Sequence, residues 1–103
     1  MNIQQMMRQA QQLQSKMEKI RAEAAQRVVE GTAGGGMVTV TANGKNEILS
    51  VSIDPEVIDK EEPEMLQDLV MAATNQALSR AQEAMESEMA QLTKGLPLPP
   101  GMF

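Results

Sequence analysis

Residues 34–57, GGGMVTVTANGKNEILSVSIDPEV, form the stretch whose pattern decides the fold of this 103-residue chain. Two segments within it, residues 37–42 and 48–53, each alternate between two rows of side chains. The apolar row is Val38, Val40 and Ala42 in the first segment and Leu49, Val51 and Ile53 in the second. A period of two with many β-branched residues predicts two strands of a half-buried sheet.

The pair Asn43-Gly44 between the two segments predicts that they form a hairpin. A two-residue loop would place Ala42 opposite Lys45 and Val38 opposite Leu49. The two apolar rows would then lie on the same face, as a sheet with one buried face requires.

The sequence before the hairpin predicts a third strand. Residues 27–33, RVVEGTA, fit a strand that reaches the hairpin through the glycines at 34–36. The glycine triplet matches neither phosphate-binding loop pattern, and no helix follows it, so a turn or bulge is predicted. Three strands with one apolar face need helices to cover that face.

A long helix is predicted before the sheet. Apolar residues recur at steps of three and four, and no Gly or Pro interrupts the chain before Gly31. These residues are Ile3, Met6, Ala10, Leu13, Met17, Ile20 and Ala24. The helix would be roughly 35 Å long, whereas strands of this size span about 20 to 27 Å. It must therefore overhang the sheet, and its apolar stripe needs another helix, from this chain or from a second copy.

A second long helix is predicted after the sheet. Asp54-Pro55-Glu56 ends the last strand and predicts a short turn, and a helical pattern then runs from about Pro63 to about Leu92. Its apolar stripe is rich in Ala, which permits the close approach of a packing partner. Residues 95–103 combine Gly and Pro and are predicted to form a flexible extended tail beyond a single domain at 1–94.

The composition restricts the possible functions. The chain has no His, Cys, Trp or Tyr, so most catalytic and metal-binding side chains are missing, and we expect neither an enzyme nor a metal or cofactor site. The lack of Cys fits a cytosolic protein. Residues 1–20 contain no continuous apolar run, so neither a signal peptide nor a membrane span is expected.

The charge is distributed unevenly along the chain. The net charge is −5, yet residues 1–30 hold five basic against three acidic side chains, whereas residues 31–103 hold four against eleven. On a helical projection, four of the first five basic residues share one solvent face: Arg8, Lys16, Lys19 and Arg27. Arg21 lies at the edge of the apolar stripe. An ordinary solvated face is an alternative, because Glu23 lies four residues from both Lys19 and Arg27.

Four segments together carry a family resemblance. They are the Gln- and Met-rich first helix, VEGTAGGGMVTVTANGKNEILSVSIDPEV at 29–57, EMLQDLVMAATNQAL at 64–78, and PPGMF at 99–103. In this order they resemble the YbaB/EbfC family of bacterial nucleoid-associated proteins. The resemblance implies an α+β protomer of the order helix-strand-strand-strand-helix, with an antiparallel sheet and long projecting helices, in an intertwined homodimer.

The resemblance also implies a function. The family binds double-stranded DNA in the cytoplasm and nucleoid, organises DNA, affects gene expression and is linked to recombination or repair proteins. Phosphate contacts of low sequence specificity would then fall on the basic residues of the first helix and its end, namely Arg8, Lys16, Lys19, Arg21 and Arg27, with Arg80 and Lys94 as further contributors. The alternative is a Met-rich helical tweezer that grips protein as an adaptor or chaperone.

Overall fold

The computed structural model of the chain describes residues 2–93. The elements follow the predicted order: helix α1 (Ile3–Gln26), strands β1 (Val28–Ala33), β2 (Val38–Asn43) and β3 (Ile48–Ile53), a short 3-10 helix (Pro55–Val57), and helix α2 (Pro63–Thr93). The strands form one antiparallel sheet in the order β1-β2-β3. The predicted α+β class is confirmed, whereas Lys94 and the predicted tail lie outside the described residues.

Each helix starts where local chemistry allows it. Asn2 caps α1, because its side-chain oxygen accepts a hydrogen bond from the Gln5 amide at 2.8 Å. Asp54 does the same for the 3-10 helix by accepting from the Glu56 amide at 2.9 Å, and α2 begins at Pro63. The predicted short turn after β3 is therefore confirmed.

The register of the hairpin differs from the prediction. Val38 lies opposite Ile53, four residues beyond the predicted partner Leu49, and Val40 lies opposite Val51. The pairing also shifts by one residue between Thr41 and Ala42. Because the displacement at Val38 is an even number of residues, Val38 and Val40 still share one face with Ile53 and Val51, as predicted. Beyond the shift, Ala42 lies opposite Ile48, which the prediction had placed in the other row.

The loop between β2 and β3 explains the difference in register. Asn43 does not take a turn position, because its side chain closes a longer loop: Oδ1 accepts from the amides of Lys45 at 2.9 Å and Glu47 at 3.2 Å. Asn46, with a φ of 64°, takes the left-handed conformation in the loop. The strands are consequently joined by residues 44–47 and not by the predicted pair Asn43-Gly44.

Gly44 allows a close contact between the β2–β3 loop and α1. Its amide donates to the Ala24 carbonyl at 2.9 Å, and a Cβ at this position would lie 2.6 Å from the same oxygen. The glycine therefore lets the β2–β3 loop meet the end of α1. The other glycine signal, the triplet at 34–36, forms the predicted turn, with φ values of 65°, 67° and 93°.

Helix α2 covers two of the three strands. It packs on β1 and β2, where Ala73, Ala77 and Ala81 of its predicted stripe are completely buried. Val38 and Val40 of β2 are the largest fully buried side chains among the described residues. The small alanines let the helix approach closely, so the core is thin and lies between α2 and the first two strands.

Beyond the sheet, α1 and the described end of α2 lie side by side and form a projecting arm, in which α1 extends further than α2. Helix α2 runs antiparallel to α1, and its residues Glu88 and Gln91 lie beside Lys19 and Ile20 of α1. The first turns of α1 reach further: Ile3 is 74% and Met6 is 56% exposed. The protein consequently measures 69 × 23 × 17 Å, and the predicted overhang of α1 is present. Within residues 2–93, neither helix has the apolar length that crossing a bilayer requires.

Candidate nucleic-acid interface

The outer half of α1 presents a polar face whose cations make no ion pair within residues 2–93. Arg8 and Lys16 line one shallow open groove, whose other lining residues are Gln11, Gln12 and Ser15. All of these side chains can donate hydrogen bonds, and both cations are exposed. Two positive charges two turns apart, with amides and a hydroxyl between them, can contact successive phosphate oxygens of a nucleic-acid backbone.

Closer to the sheet, the basic face meets acidic side chains of both helices. Lys16 and Lys19 line a second groove together with Glu23 and with Glu88 of α2. Lys19 is exposed, so it can still reach an anion outside the groove. The positive character of the arm therefore weakens from its tip towards the sheet.

Arg27 is occupied by an ion pair. Its Nε lies 3.2 Å from Glu88 Oε1, and the side chains of Arg27 and Glu88 are 51% and 12% exposed, respectively. The residue also ends α1, because its amide donates to the Ala24 carbonyl at 3.1 Å. Arg27 thus lies apart from the unpaired cations, with its charge compensated from α2.

The ladder of charges within α1 that the sequence offered as an alternative does not form. Among residues 2–93, no ion pair joins Glu23 to Lys19 or to Arg27. The partner of Arg27 comes instead from α2, 61 positions away in sequence. Only the packing of the two helices against each other could reveal this pair.

The remaining basic candidates differ in their surroundings. Arg21 is exposed on α1, on the arm. Arg80 of α2 donates from Nη1 to the Glu30 carbonyl at 2.7 Å, so it ties α2 to the backbone of β1. Gln76 makes a parallel contact, in which its Oε1 accepts from the Thr32 amide at 2.7 Å. Arg80 therefore has a structural role.

The two helices have opposite charge balances. Helix α1 has four basic and two acidic side chains, whereas α2 has Arg80 as its one basic residue against five acidic residues: Glu64, Asp68, Glu83, Glu86 and Glu88. An approaching polyanion would therefore be attracted to the α1 side of the arm and repelled by the α2 side. Within the described part of the chain, no three acidic side chains converge as a metal site would require.

Strand β3 forms a second candidate surface. Val51 shares the face of its partner Val40, yet Val40 is fully buried under α2 while Val51 is 49% exposed. Leu49 and Ile48 are 50% and 43% exposed. The outer edge of β3 has no neighbouring strand within residues 2–93. An apolar row beside a free strand edge is typical of a surface that another chain covers.

The whole chain is similar in sequence to known proteins. The sequence model described as the YbaB/EbfC DNA-binding family matches residues 1–96. A nucleoid-associated protein of Caldanaerobacter subterraneus subsp. tengcongensis is 52% identical over 102 residues, which cover 99% of this chain and 91% of that protein. A nucleoid-associated protein of Bacillus cereus is 59% identical over 87 residues, covering 84% and 80% of the two chains.

A solved structure shares the fold. The crystal structure of an uncharacterized protein from Helicobacter pylori matches with a TM-score of 0.80 and covers 89% of this chain and 97% of that chain. Its sequence identity of 22% limits the likeness to the fold. The order of two long helices around a three-stranded sheet is therefore shared by a distant sequence.

Proposed function

Because the chain belongs to the YbaB/EbfC DNA-binding family, we propose that it binds double-stranded DNA as a homodimer through the α1 sides of its arms. The observation that carries the proposal is the row of exposed cations on α1, Arg8, Lys16 and Lys19, opposite the acidic surface of α2. None of the three makes an ion pair within the part of the chain that the structure describes. Arg21 adds charge at the edge of this row. Arg27 contributes less, since Glu88 holds it. The family is one of DNA-binding proteins, in agreement with the prediction that the chain is not an enzyme.

The proposed contacts are made to phosphates and not to base edges. The cations lie on a helix that overhangs the sheet, and lysine and arginine on such a surface neutralise phosphates whatever the DNA sequence. The described residues contain no helix-turn-helix, the arrangement that inserts a recognition helix into the major groove. We therefore expect weak sequence preference and a role in DNA organisation and gene expression at the nucleoid, in the cytoplasm. Recombination or repair proteins are further proposed partners.

The dependence of the DNA affinity on salt concentration tests this function directly. If three cations per protomer meet phosphates, a dimer makes six contacts, and the affinity should fall about 10³-fold between 50 and 200 mM salt. Fluorescence anisotropy with a labelled duplex of mixed sequence measures this slope. An affinity that did not change over this range would contradict phosphate binding by the arms.

The second copy in the proposed dimer covers β3. The β3 edges of the two copies would pair across the twofold axis, so that the sheet continues from one copy to the other. Helices of the partner would cover the row that contains Leu49 and Val51. This arrangement would bury the half of the apolar face that α2 leaves open. It would also hold two arms on one platform, where both can contact one duplex.

Replacing Val51 by Lys should convert the dimer to a monomer. The lysine would have to lose its hydration inside the proposed interface, which costs several kcal/mol for an unpaired charge. Sedimentation velocity measures the change. The matched control is Ser52→Lys, one residue along β3 on the opposite, polar face, which should leave the dimer intact. A wild-type chain that sediments as a monomer, or a dimer that tolerates Val51→Lys, would contradict the proposal.

The exposed methionines of the arm favour a second candidate function. Met6 and Met7 are 56% and 59% exposed on α1, and flexible thioether side chains suit a surface that packs against varied partners. A protein-binding adaptor or chaperone would use this apolar side, whereas DNA would use the basic side. Replacing Met6 and Met7 by Gln should leave DNA binding unchanged and remove protein binding if this second function exists.

A further inference from the structure

Helix α2 carries a charged residue on its inward-facing stripe. Ala77 and Ala81 are completely buried in the core, and the same helical face continues to Glu88, two turns after Ala81. The side chain of Glu88 is 12% exposed, whereas Glu83 of the same helix is exposed. A carboxylate that is largely removed from water needs a partner, because an unpaired charge is costly in such a position.

The partner of Glu88 is Arg27, at the end of α1. The Nε atom of Arg27 lies 3.2 Å from Oε1 of Glu88. The Arg27 side chain is 51% exposed, so this cation lies at the surface of the protein, while the carboxylate that holds it is almost covered. The charge of Glu88 therefore decides whether the charge of Arg27 is available to an anion from outside.

Glu88 also compensates the inner cations of α1. It lines the groove that contains Lys16, Lys19 and Glu23, so two carboxylates oppose two ammonium groups there. Of the two carboxylates, Glu23 belongs to α1 itself, whereas Glu88 is supplied by α2. The charged lining residues of the outer groove are Arg8 and Lys16, which are both basic. The surface is therefore positive at the outer part of α1 and nearly neutral where Glu88 reaches it.

Arg27 would otherwise extend the row of cations on α1. On a helical projection it falls within the same arc as Arg8, Lys16 and Lys19. The row from Arg8 to Lys19 is about 16 Å long, and the row from Arg8 to Arg27 would be about 28 Å long. The longer row approaches one turn of duplex DNA, about 34 Å. Glu88 thus shortens the part of the arm that can attract a polyanion.

From these observations we propose that Glu88 limits the DNA-binding surface, because its carboxylate keeps Arg27 from the phosphates and confines the contacts to the outer part of α1. The inference rests on the proposed function, since it concerns the affinity of the same row of cations. A pair that only joined α1 to α2 would lose stability when its charge is removed, but the protein would gain no affinity for DNA. A gain of affinity is therefore the specific consequence of the proposed role.

Glu88→Gln should strengthen the binding of duplex DNA. The amide has nearly the shape of the carboxylate but no charge, so Arg27 becomes available to phosphates. In the proposed dimer the phosphate contacts rise from six to eight, and the fall in affinity between 50 and 200 mM salt should steepen from about 10³-fold to about 10⁴-fold. Fluorescence anisotropy with a mixed-sequence duplex measures this slope. The far-UV circular dichroism and the sedimentation of the variant should match those of the wild type.

Two further variants separate the release of Arg27 from the change in net charge. Glu83→Gln removes the same charge from α2, but Glu83 is exposed and does not line the groove, so the salt dependence should stay that of the wild type. The double variant Arg27→Gln/Glu88→Gln should also return to the wild-type slope, because the released cation is missing. Equal slopes in Glu88→Gln and Glu83→Gln, or a gain that persists in the double variant, would overturn the inference.

Arginine side-chain NMR distinguishes a failure of this inference from a failure of the proposed function. The ¹⁵N signals of the Nε atoms are followed while duplex DNA is added. In the wild type, the Arg8 signal should shift and the Arg27 signal should not, whereas both should shift in Glu88→Gln. A shift of Arg27 in the wild type equal to that of Arg8 would overturn the inference and leave DNA binding by α1 intact. If the Arg8 signal did not shift either, the proposed function would fail, and the inference with it.

Discussion

Replacing Arg8, Lys16 and Lys19 by Glu is expected to abolish binding of duplex DNA. The triple variant turns three cations of each α1 arm into anions, so the proposed dimer changes by twelve charge units and the α1 side becomes as acidic as the α2 side. At 50 mM salt, we expect a loss of affinity of at least about 10²- to 10³-fold, since six phosphate contacts become repulsive. Gel shift and fluorescence anisotropy with a mixed-sequence duplex measure this loss.

A matched pair of single variants separates position from net charge. Lys16→Glu and Lys60→Glu make the same chemical change, but Lys16 lies on the arm and Lys60 in the loop before α2, at the other end of the sheet. Only Lys16→Glu should weaken binding clearly. Both variants, and the triple variant, should keep the far-UV circular dichroism and the oligomeric state of the wild type, because these side chains are exposed.

The outcome also decides between the two candidate functions. If the triple variant retained duplex DNA as the wild type does, the α1 cations would not be the binding surface. The apolar side of the arm, with Met6 and Met7, would then be the better candidate site, and the partner would be a protein. If binding fell equally in Lys16→Glu and Lys60→Glu, overall charge would explain the effect and no local site would be required.

Gly31→Ala is expected to cause the largest loss of stability of any single methyl addition in the sheet. Gly31 lies in β1 directly under α2, and a Cβ there would overlap the carbonyl oxygen of Ala73 and the amide nitrogen of Ala77, with the Cα of Ala77 at 3.0 Å. These are backbone atoms, so no rotamer change can make room. Helix α2 must move away from β1, which loosens the contacts of the buried alanines along the helix.

The expected magnitude follows from overpacking. We expect the free energy of unfolding to fall by about 3 kcal/mol, at the upper end of the range for added methyl groups in a packed core. For a domain of this size, the melting temperature would fall by about 12 to 24 °C. Thermal and urea denaturation should be compared at one protein concentration, because the proposed dimer would unfold in a concentration-dependent manner.

Gly35→Ala is the matched control for this prediction. The change in chemistry is the same, but a Cβ at Gly35 would meet nothing within 4 Å, so only the strain of its positive φ of 67° remains. That strain costs about 1 to 2 kcal/mol. Gly31→Ala must therefore be the more damaging of the two. Equal losses would show that α2 is not seated on β1 as closely as the structure has it.

The local patterns of the sequence determined the elements of this protein. The apolar steps of three and four in the first helix, the period of two in β2 and β3, and the glycine triplet are properties of consecutive residues, so they could be identified without knowing the fold. The overhang of α1 also followed from the sequence, because the rise per residue of a helix and of a strand are fixed. The shared face of Val40 and Val51 was likewise predicted correctly, since it depends only on parity.

The tertiary structure decided what depends on residues far apart in the chain. The register of the hairpin was predicted wrongly because the loop has four residues and not two. Gly44 contacts Ala24 of α1, while the Asn43 side chain and the left-handed Asn46 close the longer loop. The partners of Arg27 and Arg80 were also not visible in the sequence, since Glu88 and the Glu30 carbonyl come next to them only when the helices and the sheet pack. Tertiary packing also decided which strand α2 leaves uncovered, because this depends on where one helix packs on three strands of similar apolarity.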